Sequence, residues 1–114
     1  MIEIEALLRD GGMEVLATGH AGFAPVGQDI ICAGVSALLF GFVAYVETLS
    51  PVGGGEAPHV EYRAGDGMLY LRTRGLASAD AVGWAAVAAG LRLIAEAYPG
   101  HVRFKDRGTV PHTS

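Results

Sequence analysis

Cysteine is nearly absent from this chain: one residue, Cys32, in 114. A single thiol excludes an intramolecular disulfide, a CxxC redox pair and a cysteine-rich zinc site, and it fits a reducing, cytoplasmic setting. Basic residues are also scarce, with 8 Lys plus Arg against 12 Asp plus Glu and a formal net charge of −4. They are scattered along the chain, so direct nucleic-acid binding is not expected, because displacing counterions from a phosphate backbone takes a basic patch. Charged residues of both signs make up only 18% of the chain, against 51% hydrophobic. A domain this small runs out of interior before it runs out of apolar side chains, and a homodimer is the expected outcome.

The segment Met1-Ile2-Glu3-Ile4-Glu5 has no basic stretch leading into an apolar run, so no signal peptide is read from it. From Ile30 to Val46 charge is missing altogether. That run sits at the short end of what a bilayer requires, about 17–25 residues. Asp29 and Glu47 bracket it where a positive-inside signal would carry Lys or Arg. A helix buried within a dimer accounts for it better than a membrane span.

What the chain does have is patterning. Residues 2–9 begin in strict alternation, and a second apolar run ends at Gly19, with Asp10-Gly11-Gly12 between them as a tight-turn signal, so a β-hairpin is expected. Asp29 is placed to cap a helix from Ile30 to about Leu49, which Ser50-Pro51 ends. After Gly53-Gly54-Gly55, two strand-like runs (59–63 and 68–74) flank Ala64-Gly65-Asp66-Gly67. Ser78 and Asp80 open a second helix that Pro99-Gly100 stops near Tyr98, and Val102 to Lys105 forms a last short strand. The order ββαββαβ with short connections predicts an α+β fold of two layers, a mostly antiparallel sheet against two helices. One domain over 1–105 and a flexible tail over 106–114 follow.

Capping by Asp29 places Cys32 third in the helix, where backbone N–H groups lack intrahelical partners and the macrodipole is positive. That setting favours the thiolate, the nucleophilic form. Asp29 opposes it as a nearby anion, and the sequence leaves the balance open. His20 lies at the end of the preceding strand. A strand end and a helix start can meet while the glycine-containing loop between them bulges outward, and an imidazole beside a thiol can take its proton and later protonate a leaving amine. Free amides at the helix start are candidate oxyanion donors. Against this stands the plain reading, a small apolar Cys32 in a buried helix and a His20 satisfying a backbone carbonyl.

The stretch Gly19-His20-Ala21, a variable loop, then Gly27-Gln28-Asp29-Ile30-Ile31-Cys32-Ala33-Gly34-Val35-Ser36-Ala37-Leu38 resembles the ribosomal-processing cysteine protease family (Prp). Gly90 to Pro99 resembles that family's second helix and its Tyr-Pro ending, and Gly34 departs from the usual Ala. The resemblance implies a catalytic pair of Cys32 as nucleophile and His20 as general base. It implies an endopeptidase that removes a short N-terminal extension from a precursor of large-subunit ribosomal protein twenty-seven, cutting after a pair of aromatic residues. It further implies a homodimer and a mobile loop, here Ala21 to Gln28, over the site. Phe23 and Pro25 are then expected to cover an extended peptide, with Gly22 and Gly27 as hinges.

Of the neighbours, Ser36 stands one helical turn beyond Cys32, where it either lines a substrate pocket or bonds back to the Cys32 carbonyl. Asp29 is expected to cap the helix beside the substrate site rather than to orient His20. Ala21, Phe23, Gly27, Asp29 and Ser36 are thus the candidate substrate-binding residues. His59, His101 and His112 share no ligand spacing and are expected at the surface, so neither a metal nor another cofactor is predicted. The competing readings are a non-catalytic, ribosome-associated peptide-binding module and a structural dimer with no peptide site.

Overall fold

The computed structural model describes residues 1–9, 12–25, 28–49, 58–74 and 81–107. Its elements are β1 (Ile2–Arg9), β2 (Gly12–Thr18), α1 (Ile30–Thr48), β3 (His59–Gly65), β4 (Met68–Arg74), α2 (Ala81–Ala97) and β5 (Val102–Asp106). The expected order ββαββαβ and the two-layer α+β architecture are both present. The strands form one sheet in the order β3-β4-β2-β1-β5. All neighbours are antiparallel except β1 and β5, which pair in parallel with Ile2 opposite Val102. The α2 crossover is what makes that parallel pairing possible, since a hairpin turn cannot join parallel strands.

Alternation sets the two faces. Ile2, Ile4 and Ala6 on β1, Met13, Val15 and Ala17 on β2, and Leu69 and Leu71 on β4 are all buried toward the helices. Helix α1 answers with Ile31, Val35, Leu39, Phe42, Val43 and Val46, and α2 with Trp84, Ala88 and Leu91. Fully buried side chains of this kind, such as Phe42, Leu71 and Leu91, each contribute about 1.5–3 kcal/mol through removal from water. The opposite face carries ion pairs instead, including Arg103 to Glu3 at 3.2 Å and Arg72 to Glu14 at 3.8 Å.

Among the described residues, α1 is the one helix long and apolar enough to cross a membrane. In this fold one side of it is core. The two helices meet through glycines: a methyl at Gly83 would run into the Tyr45 ring, and one at Gly90 would lie 3.0 Å from a Leu38 methyl.

The structure refines the predicted boundaries in two places. The β3 strand runs on to Gly65, so Asp66 and Gly67 alone make the turn, with Gly67 at φ 67°. The last strand reaches Asp106, and Arg107 N donates to Ala6 O at 2.8 Å, so sheet pairing extends past the expected start of the tail. Residues 108–114, the Gly53-Gly54-Gly55 connection, the Asp10-Gly11 turn and the Ser78–Asp80 start of the second helix lie outside the described residues.

Candidate active site

Register decides where the chemistry sits. Thr18, the last residue of β2, pairs with both Met68 at the start of β4 and Glu3 near the start of β1. Whatever follows Thr18 therefore emerges beside the β3–β4 turn. Gly19 N donates to Gly67 O at 2.8 Å. Gly19 itself holds φ 94°, and a side chain there would collide with the Met1 carbonyl oxygen. Only glycine fits both conditions. It delivers His20 to the end of the sheet, where its Nε2 lies 3.3 Å from Asp66 Oδ1, with the imidazole about half exposed.

Across from it, Asp29 organises the start of α1. Its Oδ1 accepts from Ile31 N at 2.9 Å and Cys32 N at 3.0 Å, the N-cap that the sequence predicts. The other oxygen, Oδ2, reaches backward and accepts from Phe23 N at 3.0 Å and Ala24 N at 3.3 Å. One buried carboxylate thus ties the helix start to the loop that precedes it. Burial pushes the Asp29 carboxyl upward, but hydrogen bonds from the amides of Cys32, Phe23, Ala24 and Ile31 outweigh it and hold the group below the ordinary carboxylate range.

This arrangement corrects one expectation. Three amides at the helix start, those nearest Cys32, are not free for an oxyanion: Ile31 N and Cys32 N are taken by the Asp29 carboxylate and Ala33 N by the Asp29 backbone oxygen. The donor that does face the sulfur comes from the loop, where Ala21 N lies 3.4 Å from Cys32 Sγ.

Cys32 is half-buried on the wall of a cavity of about 550 Å³. His20, Asp29 and Ser36 line the same cavity, whose apolar walls come from Val35, Leu39 and Phe40 on α1 and from Met68 and Leu69 on β4. The imidazole and the thiol share this space with no hydrogen bond between them: the ring pairs with Asp66, and the sulfur accepts from Ala21.

The expected substrate-binding residues divide. Ser36 stands on the cavity wall and makes no side-chain hydrogen bond among the described residues. Ala21 contributes its backbone, its methyl group being buried. Phe23 does not face the cavity. Its ring packs edge-on against Tyr98 and His101, with centroids 5.7 and 5.5 Å apart, while Gly22, Ala24 and Pro25 line the cavity. The chain turns sharply just before it, with Gly22 in the left-handed region at φ 69°. Gly27 lies outside the described residues. Sequence reasoning missed Asp66, and it placed His101 at the surface, whereas His101 is half-buried and its Nδ1 lies 2.7 Å from Ala21 O. Among the described residues no three His, Cys, Asp or Glu side chains are grouped to hold a metal ion.

Comparison with known proteins bears on this site. The family model described as cysteine protease Prp matches residues 1–103. A ribosomal processing cysteine protease Prp of Staphylococcus aureus is 35% identical over 75 residues, covering 64% of this chain and 67% of its own. Its counterpart in Mycoplasma pneumoniae is 33% identical over 94 residues, covering 82% of this chain and 87% of its own. A crystal structure of the essential S. aureus ribosomal processing protease Prp, in complex with a covalently linked product peptide, superposes with a TM-score of 0.75 at 29% identity. That alignment covers 93% of this chain and 99% of the other.

Proposed function

The chain belongs to the Prp family of ribosomal-processing cysteine proteases, and on that premise we propose that Cys32 is its nucleophile and His20 its general base. The supporting observation is that both side chains line one apolar cavity, at the meeting of the β3–β4 turn with the start of α1. In the first step the Cys32 proton passes to the His20 imidazole and the sulfur attacks the scissile carbonyl carbon. The tetrahedral intermediate collapses as the imidazolium returns its proton to the departing amine, leaving a thioester on Cys32. Water, deprotonated by His20, then hydrolyses the thioester and regenerates the thiol. Ala21 N–H, which lies 3.4 Å from the sulfur, is the donor we assign to the developing negative charge on the substrate oxygen.

The substrate proposed is the N-terminal extension of a large-subunit ribosomal protein precursor, protein twenty-seven, cut after an aromatic pair. A predominantly apolar cavity beside the thiol suits such residues, and the S. aureus relative holds a covalently linked product peptide. A homodimer in the cytoplasm completes the reading. In its favour, Ile30, Val82 and Leu93 on the helices are 64%, 69% and 68% exposed, apolar side chains that a second copy could cover.

Incubation with a peptide carrying an aromatic pair near its N-terminus tests the activity. The wild type cleaves it and Cys32→Ala does not. Binding without cleavage by the wild type is what a non-catalytic peptide-binding module would give, and it would overturn the assignment.

A further inference from the structure

Ala21 is the residue between the base and the loop, and both of its backbone polar groups are engaged. Its N–H donates to Cys32 Sγ at 3.4 Å, and its carbonyl oxygen lies 2.7 Å from Nδ1 of His101, 80 residues along the chain. A carbonyl oxygen can only accept, so Nδ1 must carry the proton. His101 is well placed to act as a fixed post. Its own N–H donates to Tyr98 O at 2.9 Å at the end of α2, and its carbonyl accepts from Ile2 N at 2.8 Å where β5 meets β1. Its ring stands edge-on to Phe23 at 5.5 Å and 84°.

We propose that His101 is a positioning residue for the proteolytic site, holding the backbone at Ala21 by its carbonyl so that Ala21 N–H, on the preceding peptide, stays on the Cys32 sulfur and His20 stays at the cavity. Besides the Ala21 N–H on the sulfur, the loop has two ties to the rest of the fold near this point. Asp29 secures Phe23 and Ala24 to the helix start, and His101 secures Ala21 to the junction of α2 and β5. Without the second tie the backbone at Ala21 is anchored less firmly, and a shift there moves both the donor on the sulfur and the adjacent base. His101 touches neither the thiol nor the cavity, so its effect passes entirely through Ala21. The inference rests on the Cys32–His20 reading and names a further determinant of it.

Two variants separate the hydrogen bond from the packing. His101→Phe keeps a ring against Phe23 but has no N–H to offer. His101→Asn loses the ring but places an amide N–H near the Nδ1 position. The measurements are kcat and KM for the aromatic-pair peptide, and the rate at which iodoacetamide alkylates Cys32 at neutral pH. We expect His101→Phe to lower kcat and alkylation about tenfold, the scale of one net hydrogen bond, with the larger change in kcat rather than KM. His101→Asn recovers most of both. Should His101→Phe fail to fold, His101→Gln replaces it in the comparison with Asn, since its amide falls near the Nε2 position and leaves Ala21 O unpaired. Wild-type rates in His101→Phe, or a loss in Asn equal to that in Phe, overturn the inference while Cys32→Ala still marks the nucleophile. Cleavage that persists in Cys32→Ala overturns the reading beneath it.

Discussion

Nε2 of His20 lies 3.3 Å from Oδ1 of Asp66, a carboxylate on the two-residue turn between β3 and β4. Asp29, the acid nearer in sequence to Cys32, is fully occupied by backbone amides, so the carboxylate beside the imidazole comes from a different part of the chain. Asp66 is almost entirely exposed, and exposed pairs of this kind contribute only about 0–1 kcal/mol. Asp66→Ala is therefore expected to reduce peptide cleavage only about two- to fivefold. Added salt should narrow that gap by screening the wild-type pair. Rates for the two proteins at low and high ionic strength check this, and an effect of a hundredfold would mean that Asp66 does more than orient the ring.

Asp29 supplies the pH dependence. Its folded carboxyl titrates below the ordinary carboxylate range, because amide hydrogen bonds outweigh its burial. A depressed folded value means that the carboxylate's contribution is fully present above the unfolded value of about 3.9 and is lost as pH falls through the lower, folded value. Thermal melting followed from pH 6 downward should accordingly steepen only in that acid window. In Asp29→Asn the amide oxygen still caps Ile31 and Cys32, but its NH₂ faces two N–H donors, those of Phe23 and Ala24. The variant is expected to melt a few degrees lower at neutral pH and to show a shallower loss in acid. An unchanged acid profile would show that the loop tether is not electrostatic.

The helix glycines behave in opposite ways. A methyl on Gly34 would sit 3.5 Å from Ile94, in ordinary contact. Gly34→Ala is expected to stabilise the protein by about 0.5–1 kcal/mol through helix propensity. At Gly83 the Tyr45 ring occupies the place of a methyl, so Gly83→Ala should destabilise by about 1–3 kcal/mol, the cost of overpacking. Urea melts of both variants decide it.

Ser36 lies on the cavity wall one turn from Cys32, exposed and with no side-chain hydrogen bond among the described residues. Ser36→Trp should fill the cavity, raising KM for the peptide at least about tenfold while leaving alkylation of Cys32 by small reagents within about twofold. A proportional fall in both would indicate that the helix start had been distorted.

Most of the fold was legible in the sequence because its signals are local. Alternation in residues 2–8 and 68–74, the Asp29 cap and the Pro99-Gly100 stop each act over a few residues, and the elements they mark are present. The strand order was not legible, because the parallel pairing of β1 with β5 joins residues about a hundred positions apart. Asp66 and His101 escaped for the same reason. Asp66 meets His20 only because Thr18 pairs with Met68, and His101 meets Ala21 only because β5 docks beside β1. That the amides of Ile31 and Cys32 are occupied is not legible in the sequence, because one capping carboxylate satisfies both at once and its consequence for the oxyanion appears only with the geometry.

The central claim is that peptide cleavage passes through a thioester on Cys32. Intact-mass spectrometry of the enzyme, acid-quenched during turnover of an aromatic-pair peptide, tests it most directly. The expected result is a mass increase equal to the N-terminal half of the peptide less one water, mapping to Cys32 in the wild type and absent from both Cys32→Ala and His20→Ala. Turnover that continues in Cys32→Ala, or an acyl adduct that maps to another residue, would contradict it.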